Sequence, residues 1–171
     1  IARRVEFLTD YQNAAYAQRY RDLVRKVHKA ESERAGGTKL AEAVARYGFK
    51  LMAYKDEYEI ARLYADPRFT QKIASMFEGD YTLKFHLAPP LLNRPDPVTG
   101  VAGKSEFGPW MITGFRILAK LKGLRGTPFD IFGRTDERRT ERRLMAEYEA
   151  TVNELLRGLS AFNLKLAVEI A

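Results

Sequence analysis

The chain has no cysteine, so it can build no disulfide, thiolate metal site or iron–sulfur ligation from its own residues. It has only two histidines, His28 and His86, too few to argue a Ser/His/Asp set or a zinc site. No window approaches the roughly 18–20 apolar residues of a membrane span, and Arg3, Arg4 and Glu6 break any signal-peptide layout. These absences lead us to expect a cytoplasmic chain with no membrane partner. Phosphate loops are missing as well: Gly123-Leu124-Arg125-Gly126-Thr127 lacks the spacing of a P-loop or a dinucleotide fingerprint. There is no internal repeat and no low-complexity tract.

What remains is 171 residues with a formal net charge of +7, long enough for one sizeable core and one domain. The chain starts at Ile1 and ends on Leu-Lys-Leu-Ala-Val-Glu-Ile-Ala with no glycine or proline stop, as expected of a piece of a longer polypeptide. The window 116–143 holds nine basic residues against four acidic. A basic patch of this kind suits an anionic ligand, an acidic partner face or nucleic acid; a solvated surface with internal ion pairs is the plainer explanation. No aromatic–basic platform supports nucleic-acid binding.

Apolar spacing predicts a mainly α fold of long antiparallel helices with a small β element and Pro/Gly-rich loops. Val5, Leu8, Tyr16, Tyr20, Leu23, Val27 and Ala30 predict one helix over 1–34, slack only near Gln12 and closed by Gly36-Gly37. Thr38 is the expected N-cap of a second helix whose seam runs from Leu40 through Tyr54 and Tyr58 to Ala61 without interruption. Within it, Asp56 and Glu59 share a face; acid–base or metal work is conceivable there, and ion pairing on a solvated face is the expectation. Pro67 starts a short helix over 67–78. Tyr81–Leu87 alternates as a strand, with Pro128–Phe132 or the tail of the 93–103 loop as its partner. Residues 93–108 read as a long loop. Pro109 opens a helix with Trp110, Met111, Gly114, Ile117, Leu118 and Leu121 as its buried stripe. Thr135 caps a long helix with Asp136 and Glu137 in its first turn, broken near Gly158 before a last helix from about 161.

The candidate site is a set of cations: His86 on the polar side of the strand, Lys104 and Arg125 from loops, and Arg138 and Arg139 at a helix N-terminus. Together they are expected to hold a phosphate or carboxylate, with Asp136 and Glu137 competing for the same place.

Five blocks carry a family resemblance: A-Y-K-D-E-Y-E-I-A-R-L-Y at 53–64, K-F-H-L-A-P-P-L-L at 84–92, K-S-E-F-G-P-W-M at 104–111, L-R-G-T-P-F-D-I-F-G-R-T-D-E-R-R-T-E-R-R at 124–143, and the ending 162–171. Together the sequence resembles the C-terminal region of bacterial indolepyruvate ferredoxin oxidoreductase-type proteins, the fused 2-oxoacid:ferredoxin oxidoreductases. The resemblance implies a parent enzyme that oxidatively decarboxylates arylpyruvates to acyl-CoA on thiamine diphosphate and magnesium. Electrons would leave through an iron–sulfur cluster to ferredoxin, and the parent would be a homo-oligomer. No catalytic residue carries over to this region, and no cofactor is expected within it. The implied role is an accessory or interface domain packed on other domains of the same chain. The alternatives are a lid whose His86, Lys104 and Arg125 contact CoA or substrate anions, and a nucleic-acid module.

Overall fold

The computed structural model describes residues 1–88 and 103–171. Among them the order is α1 (Ala2–Tyr11), α2 (Ala14–Arg34), α3 (Lys39–Met52), α4 (Glu57–Ala65), α5 (Pro67–Ala74), β1 (Phe85–Leu87), β2 (Ser105–Phe107), α6 (Met111–Lys120), a 3-10 turn (Lys122–Leu124), α7 (Asp136–Gly158) and α8 (Leu164–Ile170). The fold is mainly helical with a small two-stranded antiparallel sheet, as the spacing predicts. No helix among the described residues is long and apolar enough to cross a membrane. The chain forms two compact units, the first from residues 1–54 and 133–171, the second from 55–132.

In the first unit the expected helix over 1–34 is two helices. Asn13 is extended (φ −167°, ψ 174°) and its side chain accepts the Tyr16 N–H at 2.8 Å, so it starts α2 afresh. The break rephases the buried stripe. Tyr11 and Ala17 are six residues apart, about 240° around a continuous helix, yet both are buried. Tyrosines then tie this element to α3. Tyr11 donates to the Tyr54 carbonyl at 2.9 Å, Tyr16 to that of Met52 at 2.9 Å, and Tyr20 to that of Ala45 at 2.8 Å. Buried and half-buried rings thus find partners for their hydroxyls, one of them on the Met52 carbonyl at the open end of α3. Two apolar clusters fill the unit, one around Leu8, Tyr20 and Met52, the other around Val27, Val44, Val152 and Leu156. Thr135 caps α7 as expected, accepting the Arg138 N–H, and α7 stops at Gly158.

Tyr148 of α7 is held in this unit by a 3.0 Å bond from its hydroxyl to the Ala171 carbonyl, and burial pushes its pKa up to about 12. The folded value lies above the ordinary 10.0, so the neutral phenol's contribution is complete below about pH 10 and is lost as pH rises toward 12. We expect alkaline unfolding of the first unit to steepen in that window, and Tyr148→Phe to remove that part of the slope. A variant with an unchanged slope would show that the phenol ionises equally in both states.

The second unit is built on α4 and α6. Tyr64 sits at its aromatic centre, edge-on to Phe69 at 5.0 Å and Phe85 at 5.4 Å, and stacked on Phe115 at 5.0 Å. The hairpin pairs Phe85 with Phe107, His86 with Glu106 and Leu87 with Ser105. The strand's partner is therefore neither 128–132 nor the tail of the 93–103 loop but the residues just beyond it. The strand is also shorter than the predicted 81–87. Residues 89–102, which include most of the expected 93–108 loop, lie outside the described residues.

Two further expectations change. The seam expected to run unbroken to Ala61 stops at Met52, because Asp56 is extended and its carboxylate caps α4 by accepting the Glu59 N–H at 2.8 Å. On α6 the apolar residues divide between two faces. Phe115 is buried and Met111, Ile112 and Leu118 are half-buried, whereas Trp110, Ile117 and Leu121 of the predicted stripe are exposed.

Candidate functional site

Of the five candidate cations, His86, Lys104 and Arg125 belong to the second unit, Arg138 and Arg139 to the first. Lys104 is exposed and precedes β2, two residues before Glu106. His86 faces Glu106 across the hairpin, its Nε2 3.9 Å from the carboxylate, and Lys84 Nζ reaches the same carboxylate at 2.8 Å. The Lys84 bond holds the Glu106 carboxyl below its usual pKa. Glu106, already bonded to Lys84, would compete with any incoming anion at this hairpin.

Both buried arginines are committed internally. Arg138 donates to Glu141 at 2.6 Å, and its guanidinium carbon lies 5.7 Å from the Tyr54 ring centroid. Arg139 is exposed, 3.6 Å from Asp136. Arg125, 4% exposed, forks onto Asp56, 2% exposed, with Nη2 on Oδ1 at 2.8 Å and Nε on Oδ2. Arg125 is therefore no exposed loop ligand for an external anion: it is buried, and its Nε–Nη2 edge already holds a carboxylate. Asp56 and Glu59 are corrected too. They are not on a solvated face, and Glu59 is buried and bidentate with Arg62 at 2.7 and 2.8 Å.

The Arg125–Asp56 pair extends into a buried polar network. The Arg125 guanidinium carbon lies 5.4 Å from the Tyr58 ring centroid; Tyr58 donates to Asp130 Oδ1 at 3.2 Å, and Asp130 Oδ2 accepts the Gly126 N–H at 2.7 Å. Burial, reinforced by the Asp130 charge, pushes the Tyr58 phenol far above its ordinary value. Gly126 (φ 76°) occupies the left-handed position of a turn closed by Thr127 N–H on the Leu124 carbonyl at 2.9 Å. That turn puts Arg125 and Asp130 on the start of α4. The carboxylates of Asp56 and Asp130 and the Tyr58 hydroxyl are bonded to one another's elements, and the network acts as a clasp between α4 and the 125–130 loop.

Beside it lies a mostly apolar cavity of about 210 Å³, lined by Glu57, Ile60, Leu87, Ala88, Met111, Phe115, Leu118 and Phe132. This is below the roughly 300 Å³ at which small-molecule sites begin, and suits one apolar side chain. The chain has no cysteine, and among the described residues no group of three or more His, Asp or Glu is placed to hold a metal. No step through such a group follows from these residues. The network could have been sought from Asp56 three residues before Glu59, a capping pattern; nothing local announces its partner 69 residues away.

No curated protein and no solved structure matches this chain. Residues 1–171 match the sequence model of the Family of unknown function (DUF6537), and the chain belongs to that family.

Proposed function

We propose that the chain is a non-catalytic interface domain of an indolepyruvate ferredoxin oxidoreductase-type enzyme, packing on other domains or subunits of its parent. The parent assignment rests on the sequence blocks at 53–64, 84–92, 104–111, 124–143 and 162–171. One observation carries the interface role: the second unit keeps large apolar side chains at its surface, with Phe129 74%, Trp110 64%, Ile117 60% and Ile131 52% exposed. Apolar surface of this kind is what a protein interface buries. The internal commitment of Arg125, Asp56 and Asp130 supports the same reading, because these buried charges of the second unit are spent on holding it together.

The test is oxoacid- and CoA-dependent dye reduction by the full-length parent. We expect turnover with arylpyruvates, and a rate within roughly twofold of wild type for His86→Ala/Lys104→Ala, since neither side chain touches reacting atoms in this reading. A parent inert toward arylpyruvates removes the assignment. A loss of more than roughly a hundredfold in the double variant at unchanged melting temperature would instead make the hairpin face part of the active site or its lid.

A further inference from the structure

The outward face of α6 has the layout of a helix-packing seam with no helix on it among the described residues. Trp110, Gly114, Ile117 and Leu121 follow at spacings of four, three and four, which keeps them within one narrow stripe. Trp110, Ile117 and Leu121 are exposed. Trp110 is also held in place. Its ring is edge-on to Phe107 at 6.0 Å, and a Cβ on Gly108 would meet it at 3.4 Å.

Gly114 is the second observation. Glycine is a poor helix residue, and one in mid-helix leaves room for close approach of a neighbour. Nothing within the described residues requires it: an added Cβ would meet only Met111 Sδ, at an ordinary 3.6 Å. The open side of Gly114 therefore forms a notch between Trp110 and Ile117 into which another backbone or side chain can settle.

Charge selects the occupant. From Phe107 to Phe129 there is no Asp or Glu, while Arg116 and Lys120, four residues apart, lie together along one flank of the seam. Both are exposed. We infer that this face docks an amphipathic α-helix with an apolar seam and carboxylates along the flank that meets Arg116 and Lys120. This deepens the interface reading above and rests on it for the place of that helix in the parent or a partner subunit.

Trp110 is the only tryptophan of the chain, so its emission reports this face directly. The probes are a synthetic helical peptide with a leucine seam and glutamate flanks, the same peptide with lysine flanks, and phosphatidylserine vesicles. We expect the glutamate peptide to shift Trp110 emission to the blue and shield it from quencher, binding roughly tenfold tighter than the lysine peptide. Arg116→Glu/Lys120→Glu should reverse that preference. Gly114→Leu should abolish binding at unchanged helix content, since its Cβ has room inside the unit. No shift with either peptide, equal affinity for both, or a shift with vesicles alone overturns the proposal; the last would make the face a membrane-surface contact. The assay contains no oxoacid. An inert parent with a positive Trp110 titration removes the enzyme assignment and keeps the docking face, and the reverse outcome removes the face alone.

Discussion

Arg125→Met is expected to destabilise the second unit by about 3–5 kcal/mol, the usual cost of stranding one member of a buried ion pair. Asp56 would stay at 2% exposure and lose the guanidinium that faces both its oxygens. Methionine fills much of the arginine stem's volume, so the loss reports charge more than cavity. Asp56 has a second task, accepting the Glu59 N–H that starts α4. Asparagine caps helices about as well as aspartate. The double variant Asp56→Asn/Arg125→Met therefore keeps the cap while removing both charges, and should recover most of what the single variant loses. Urea unfolding gives the totals; hydrogen exchange of α4 amides localises them. An α4 whose exchange moves by less than about 0.5 kcal/mol in Arg125→Met would mean that the pair contributes nothing to the unit.

The long amphipathic elements were legible because they follow one period and bury one face. α7, its Thr135 cap and its end at Gly158 follow from local pattern alone, as does the mainly helical class. The breaks were not legible. Leu51, Tyr54, Tyr58 and Ala61 continue the spacing of Leu40, Val44 and Tyr47, so the seam looks continuous where the chain in fact leaves α3 at Ala53 and re-enters helix at Glu57. The cap at Asp56 sits inside Lys-Asp-Glu-Tyr-Glu, a string whose charge density argues for solvent. Burial of Asp56 depends on Arg125, and proximity of that kind is tertiary information. The same limit applied to the candidate site. Arginines dense in sequence looked like one anion-binding set, yet Arg125 is bonded to Asp56 and Arg138 to Glu141. On α6 the apolar residues are spread too widely around the helix for one buried stripe; the structure buries the Phe115 side and leaves Trp110, Ile117 and Leu121 outside.

The cap of α3 shows the same lesson with a sharper consequence. Thr38 occupies the N-cap position by spacing, but its side chain makes no capping bond; its hydroxyl donates to Glu42 at 2.7 Å in an exposed setting. The capping group is Glu31, fully buried at the end of α2, whose two oxygens accept the Leu40 N–H at 3.0 Å and the Ala41 N–H at 2.9 Å. A carboxylate is favoured there twice over, by the unpaired N–H groups and by the helix dipole. The turn that delivers it needs Gly36 and Gly37, both at positive φ (73° and 95°). Glu31→Ala should therefore cost the first unit about 3–5 kcal/mol, from two charge-assisted bonds lost and two buried N–H groups left without acceptors. Glu31→Gln keeps one oxygen but turns an NH₂ toward the other N–H, and should cost about 1.5–3 kcal/mol. Thr38→Ala should cost under about 0.5 kcal/mol, because it removes only an exposed bond. The two explanations of how α3 begins thus predict opposite orders. If Thr38→Ala proves the costlier change in urea unfolding, Glu31 does not cap the helix and its burial must have another cause; if Glu31→Ala does, the junction of α2 and α3 is closed from the side by a residue nine positions upstream of the first amide it holds.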